Sequence, residues 1–327
     1  DVLEIADNLE DNIFSLHRDL SFHTYQHGGY HAFYIFDPKP REIHKASVRD
    51  RLLHHALYRI LYPFFDKTFI ADSFSCRNNK GTHNALNRFR SFGYIVSKNN
   101  TKTCWVLKCD IRKFFANIDH AILMEILKKY IPDGDIVWLL QEVIESFSSI
   151  RSSVGLPLGS LTSQLLVNIY MNEFEQLIKH RLNNKHSNIL ENVGMLCGVK
   201  ETYYIRYADD FVIFSEKRRI LEEYISCIRT FLEGELKLEL HPQKLFIKTL
   251  ASGVDFLGWT HFPDHRVLRT NTRRRMMKRV KQREEEEALN SYLGVLKHGN
   301  AYKLKEILSR CGKEQIHCSD PEMVSKK

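Results

Sequence analysis

Along residues 1–20 the apolar positions Leu3, Ile5, Leu9, Ile13 and Leu16 recur at helical spacing, which predicts a short helix. The pattern changes at Tyr30. Ala32-Phe33-Tyr34-Ile35-Phe36 is β-prone, Asp37-Pro38-Lys39-Pro40 is a strong turn or extended signal, and Arg41-Glu42-Ile43 resumes as a strand. The three together predict a hairpin with basic residues near its tip. Residues 48–65 return to a helical pattern through Leu52, Leu53, Ala56, Leu57, Ile60 and Leu61, with Pro63 expected to end it.

Further on, Trp105-Val106-Leu107-Lys108-Cys109-Asp110 reads as a buried strand carrying a carboxylate at its end. Helices are expected over 120–130 and 135–147, the second with Asp135 as N-cap. Gly155-Leu156-Pro157-Leu158-Gly159 is a loop, and Leu166, Ile169, Phe174 and Leu177 trace one face of a long helix behind it. Two β-prone runs, 203–205 and 211–214, flank Tyr207-Ala208-Asp209-Asp210 and predict a hairpin with acids at its turn. An amphipathic helix follows (Leu221, Tyr224, Ile225, Ile228, Phe231, Leu232), then strands at 236–240 and 254–259. From Arg269 the chain is helical and very basic until Glu284-Glu285-Glu286-Glu287. No internal repeat or low-complexity linker interrupts this order, so one particle with subdomains is expected.

The chain has 327 residues, enough for two or three subdomains around a substantial core, and its 43% hydrophobic and 27% charged residues place it among globular proteins. A net charge of +8 favours a polyanionic partner, because neutralised phosphates release their counterions, although charge alone discriminates weakly. Seven cysteines without regular spacing suit a reduced, cytoplasmic setting. Cys311, His317 and Cys318 lack a fourth metal ligand. His23, His27 and His31 are separated by Gly28 and Gly29, which favours a loop over a metal site. No apolar run approaches the roughly 20 residues of a membrane span, and no signal peptide is visible.

The sharpest chemical feature is the acid pair Asp209-Asp210 inside an apolar hairpin. Adjacent carboxylates in such a setting lose solvation and repel each other, unless they bind divalent cations. Two metals about 4 Å apart can activate a 3′-hydroxyl and stabilise a leaving pyrophosphate, and hard oxygen ligands suit Mg²⁺ or Mn²⁺. An isolated acid pair is ordinarily a polar turn. A second strand-ending acid, Asp110, followed by Ile111-Arg112-Lys113-Phe114-Phe115, makes a polymerase the favoured reading.

These elements resemble, in order, the palm motifs of reverse transcriptases: Asp110 with Phe114-Phe115, the 155–159 loop, Tyr207-Ala208-Asp209-Asp210, Lys244 and Phe256-Leu257-Gly258. The likeness extends upstream through Pro38-Lys39-Pro40-Arg41-Glu42-Ile43, Asp50-Arg51 and Ser73-Phe74-Ser75-Cys76-Arg77. The runs Gly159-Ser160-Leu161-Thr162-Ser163-Gln164 and Leu53-His54-His55-Ala56-Leu57 are similar to those of diversity-generating retroelement enzymes. The resemblance implies an α+β right-hand polymerase: an N-terminal extension over 1–36, fingers over 37–105, a palm over 106–260 with a helical insert at 120–154, and a short helical thumb over 261–327. It further implies a bacterial, archaeal or phage-encoded enzyme that makes error-prone cDNA from a structured template RNA.

By the same resemblance Asp110 and Asp209 ligate two Mg²⁺ ions with the carbonyl of Ile111, Asp210 is a weaker ligand, and Lys244 serves the leaving pyrophosphate. Phe115 is the steric gate that selects dNTP over rNTP, with core packing the alternative, more so for Phe114. Lys39 and Arg41 grip the triphosphate, or are merely solvated. Leu158 and Gly159 border the nucleotide, an apolar Leu158 loosening base discrimination. Gln164 and Ser163 contact template or nucleotide, with helix capping the competing role for Ser163. Arg77, Lys80, Gly258 of a primer-grip hairpin and the basic stripe including Arg273, Arg274 and Lys278 hold nucleic acid. Template RNA, a primer, the RNA–DNA heteroduplex, dNTPs and a small basic accessory protein are the implied partners. Phage-defence, retron and group II intron enzymes share the pattern, and a non-catalytic maturase-like RNA-binding protein is the alternative of another class.

Overall fold

The computed structural model describes residues 7–36, 39–149, 151–181, 203–282 and 286–308. Pro38, Arg283 and the Cys311, His317 and Cys318 group lie outside the described residues.

Four antiparallel strands organise the centre. β3 (Trp105–Asp110) pairs with β5 (Asp210–Ser215) on one side and β6 (Phe246–Thr249) on the other, and β4 (Tyr203–Tyr207) flanks β5. The strands read as apolar runs rather than alternating ones because both faces are covered. Leu107, Cys109, Phe211 and Ile213 pack into a core with the helices of one face, while Val106, Val212 and Phe214 pack into a second core on the other. Segregation of helices around an antiparallel sheet makes the fold α+β, as expected.

The helices of the larger core are capped and patterned as their sequences direct. In α2 (Val48–Phe65) the Ser47 side chain accepts from the Asp50 N–H, and Leu53, Leu57 and Leu61 form its buried stripe. Pro63 does not end this helix. It sits inside, because burial of Phe65 secures the last turn against one lost hydrogen bond. Asp119 caps α4 (His120–Tyr130). The cap of α5 (Gly134–Glu145) is Asp133 rather than Asp135, since its carboxylate accepts from the N–H groups of both Asp135 and Ile136. α6 (Leu161–Gln176) is buried on nearly all sides, and α7 (Arg218–Gly234) buries Leu221, Tyr224, Ile228 and Leu232.

On the other face lies α3 (Gly81–Val96), which the sequence analysis does not anticipate. Its Ala85, Phe89, Phe92 and Val96 pack against Val106 and Val212. Beside it a small sheet forms from β7 (Val254–Phe256), β8 (Trp259–His261) and β9 (Arg266–Leu268). The expected single strand over 254–259 is thus broken at Leu257 and Gly258, whose φ angles of 49° and 83° make a two-residue hairpin turn. The expected strand at 236–240 is absent. Leu236, Leu238 and Leu240 do alternate inward, but the segment makes only an isolated bridge from Leu240 to Ile111. α8 (Thr270–Gln282) and α9 (Glu286–Leu296) close a third core with Trp259 and Leu268.

At the N-terminal end α1 (Leu9–Ser21) precedes the hairpin of β1 (Tyr30–Ile35) and β2 (Arg41–Ala46). This hairpin crosses residue 36, where the sequence reading separates an extension from the fingers, because each strand supplies the other's hydrogen bonds.

Candidate active site

β3 ends on Asp110 and β5 begins on Asp210, and the register sets the two residues directly opposite one another. Opposed residues of an antiparallel pair project from the same face. Asp209 lies in the turn between β4 and β5 beside Ala208, whose φ is 56°. The Ile111 N–H donates to the Asp209 carbonyl at 3.0 Å, tying that turn to the end of β3. One corner of the sheet therefore gathers all three acids.

Two lysines face them. Lys244 Nζ donates to both oxygens of Asp110, at 2.8 and 3.0 Å. It arrives there because the chain after α7 is laced to the end of β3: Arg112 N–H donates to the Glu239 carbonyl at 2.9 Å, and His241 N–H to that of Asp110 at 2.8 Å. Lys108, on the same face of β3 as Asp110, donates at 3.0 Å both to Asp210 Oδ2 and to the Asp255 carbonyl of β7.

Two cations against three carboxylates leave an acid surplus. Burial, and then the Asp110 charge, push the Asp209 carboxyl above its ordinary value, while Lys244 and Arg41 pull it down. Burial pushes Asp210 up to about 6 against the pull of Lys108, and its Oδ1 is buried with no hydrogen-bond partner. Among the described residues no three acid, histidine or cysteine side chains stand at metal-holding separation, and Asp110 and Asp210 are each paired with a lysine. The donor set nonetheless fits hard dications: carboxylate oxygens, one of them orphaned, that repel each other and that two positive charges would stabilise.

Around this corner, Phe114 is buried in the core, whereas Phe115 is half-buried at its edge, ring to ring with Phe114 at 5.7 Å. The 155–159 loop is pinned beside it, Leu156 N–H donating to the Phe115 carbonyl at 2.8 Å and Gly155 N–H to that of Ile118 at 2.7 Å. The Leu158 carbonyl accepts from His44 N–H at 2.8 Å, which joins the loop to β2. Gly159 is required there: its φ is 104° and a Cβ would stand 2.7 Å from Ile43 Cγ2. Gln164 is half-buried on the first turn of α6, while Ser163 is buried inside that helix and caps nothing, since Ser160 holds the N-cap position. Arg41 is close enough for its charge to act on Asp209, and Lys39 is exposed at the hairpin tip.

Other sequence candidates fall outside this corner. Arg77 is occupied by the fold: its guanidinium donates to Asp66 and to the carbonyls of Asp66, Ile70 and Ser73, with a side chain only 5% exposed, so it has no face left for a phosphate. Lys80 is half-buried and donates to the Ala71 carbonyl at 2.8 Å. Gly258 forms the β7–β8 turn, its carbonyl accepting from Arg269 N–H at 3.1 Å. Arg273, Arg274 and Lys278 are exposed on α8, whose Met276 and Val280 face inward.

Sequence reasoning missed Lys108 and Arg206. Lys108 stands two residues before Asp110, so strand periodicity alone places them together. Arg206 is fully buried. It donates through Nε to Glu175 at 2.7 Å, through Nη1 to the Ala208 carbonyl at 3.1 Å, and through Nη2 to Ser73 Oγ and Asn168 Oδ1 at 3.0 and 3.1 Å. A charged residue inside an apolar strand was the available signal.

A sheet corner with three acids, a glycine-bounded loop pinned beside it and a basic helix beyond describes a nucleotidyl-transferring polymerase. Residues 37–261 match the reverse transcriptase (RNA-dependent DNA polymerase) family, and the chain belongs to it. It is similar to the protein YkfC of Escherichia coli (strain K12), at 29% identity over 77% of this chain and 69% of that one. It is 24% identical to the group II intron-encoded protein LtrA of Lactococcus lactis subsp. cremoris, over 84% of this chain and 53% of LtrA. Among solved structures, telomerase from Candida albicans, in complex with a fragment of telomeric RNA, superimposes with a TM-score of 0.57 at 11% identity. That superposition covers 90% of this chain and 55% of the telomerase chain, and shows the fold. No helix among the described residues is long and apolar enough to cross a membrane.

Proposed function

We propose that this chain copies RNA into DNA at the corner formed by Asp110, Asp209 and Asp210. The single observation that carries the reading is the register that sets Asp110 opposite Asp210, with Asp209 tied to Ile111 beside them. Asp110 and Asp209, with the carbonyl of Ile111 and weaker help from Asp210, are the groups to hold two Mg²⁺ or Mn²⁺ ions. Those ions supply activation of the primer 3′-hydroxyl and charge for the leaving pyrophosphate. The bond made joins the primer 3′-oxygen to the α-phosphorus of a dNTP, and the bond broken releases pyrophosphate.

The chain's own residues bind and orient. Lys244 leaves Asp110 when that carboxylate is otherwise engaged, and its Nζ supplies a proton or counter-charge to the departing pyrophosphate. Arg41, with Lys39 behind it, draws the triphosphate in by charge-assisted hydrogen bonds. The half-buried Phe115 ring lies under the sugar and excludes a 2′-hydroxyl. Leu158, Gly159 and Gln164 border the base and sugar. Gly258 lets the primer backbone approach, and Arg273, Arg274 and Lys278 follow the heteroduplex phosphates without reading sequence.

Primer extension on an RNA template with dNTPs and Mg²⁺ tests this reading. Incorporation that depends on Asp209 is the expected result, and RNA binding without any incorporation would overturn it.

The 159–164 run and the apolar Leu158 support a finer setting, an error-prone enzyme of the diversity-generating retroelement type working with a small basic accessory protein. Similarity to a group II intron-encoded protein favours a second reading, an intron-type reverse transcriptase. Sequencing cDNA made on the native RNA separates them: errors concentrated at template adenines support the first, and even, sparse errors the second.

A further inference from the structure

A cavity of about 310 Å³ opens between α3, the loop joining β8 to β9, and the segment 297–300 after α9. The β7–β9 register puts it at the end of the small sheet opposite the Leu257–Gly258 turn, since His261 pairs with Arg266 there and Trp259 with Leu268 at the turn. Arg266 lines it. Its Nε donates to the His298 carbonyl, Nη2 donates to Asn87 Oδ1 at 3.3 Å, and the guanidinium lies over the Trp259 ring, 5.8 Å from its centroid. Nη1 is buried and has no hydrogen-bond partner. A guanidinium held on two sides with its third nitrogen orphaned is a costly arrangement unless something accepts from it.

The surrounding charge points to what that is. Arg90 and Lys297 stand exposed on the lining, and neither has an acidic partner among the described residues. Asp264, the one carboxylate among the described lining residues, is engaged by His265 Nδ1 at 2.8 Å. Burial, and then repulsion from Arg90, disfavour the charged form of Arg266. An anion with several acceptor oxygens would neutralise the exposed charges of Arg90 and Lys297 and relieve their repulsion of Arg266.

We propose that this cavity is a phosphate-binding site separate from the catalytic carboxylates, with Arg90, Arg266 and Lys297 in its lining. A phosphodiester of a bound RNA and a free phosphate compound present the same chemistry. The proposal does not depend on polymerase activity.

The test uses the full chain in chelator, without divalent cations. Sodium pyrophosphate is titrated calorimetrically, and a short single-stranded RNA by fluorescence anisotropy. The Arg90→Ala/Lys297→Ala variant removes two exposed side chains without touching the fold. It weakens pyrophosphate binding at least about fivefold, as expected for two partly exposed charge contacts. Arg59→Ala/Lys128→Ala, which removes two exposed charges from α2 and α4, leaves that binding unchanged. If RNA affinity falls in parallel, the phosphate belongs to the polynucleotide; if only pyrophosphate affinity falls, a free phosphate compound is the ligand. Wild-type protein that binds no pyrophosphate, equal weakening by the control pair, or loss on RNA alone would each overturn the proposal.

Discussion

The two faces of the central sheet hold charge in opposite ways at almost the same height. On the α6 side, Arg206 and Glu175 are both 0% exposed, and Arg206 reaches Ser73, Asn168 and the Ala208 carbonyl as well. On the other side, Lys108 and Lys244 meet Asp210 and Asp110 with all four side chains partly open to solvent, and Asp209 is left over. The first network closes on itself apart from Glu175 Oε2, and so can do nothing but hold the turn that carries Asp209. The second is deliberately incomplete. Surplus acid at an accessible corner is available to what comes from outside, while a matched pair in the interior holds the turn in place.

Mutations should break that contrast in kind as well as in size. Asp209→Ala removes a group from the open site and should lower RNA-templated dNTP incorporation about ten-thousandfold, near 5.5 kcal/mol of barrier, with RNA binding and thermal stability nearly unchanged. Primer extension, filter binding and a melting curve check the three parts. Arg206→Met strands Glu175 in the closed network and should cost about 3–5 kcal/mol in urea unfolding. Adding Glu175→Leu should recover most of that loss, which would show that the pair works as one unit. Lys108→Met leaves Asp210 and the Asp255 carbonyl without their donor, and a loss of about 1–3 kcal/mol is expected by the same unfolding measurement.

The smallest effect concerns a third buried network and appears only in acid. His54, whose Nδ1 lies 3.0 Å from Ser160 Oγ and Nε2 3.3 Å from His27, is pushed by burial down from 6.5 to about 4. Above pH 6.5 it is neutral whether folded or not and contributes no pH dependence. As pH falls through that value the unfolded chain takes up the proton first, so stability declines until about pH 4. Urea midpoints at pH 7 and 5 should differ, and His54→Gln should shrink the difference.

Periodicity and end signals were enough to foresee β3, the β4–β5 hairpin, α2, α4 and α7, because each carries its apolar pattern or apolar run within a few consecutive residues. They misplaced the end of α2 at Pro63 and the strand at 236–240, where neighbours overrule local preference. Of the site, Asp110, Asp209 and Asp210 were legible as strand-end acids in apolar runs. Lys108 was legible in principle from strand alternation. Arg77 was misleading, since a basic residue in a motif can equally serve the fold.

Residue type and spacing thus carried the elements, the strand-end acids and the motifs of the family likeness, each of which depends on neighbours a few positions away. Which acids face which lysines, why Arg206 is buried, and that Arg90, Arg266 and Lys297 share one cavity depend on pairings between segments up to 207 positions apart, as 90 and 297 are. Such pairings arise from strand register and core packing, and no short stretch of chain contains them.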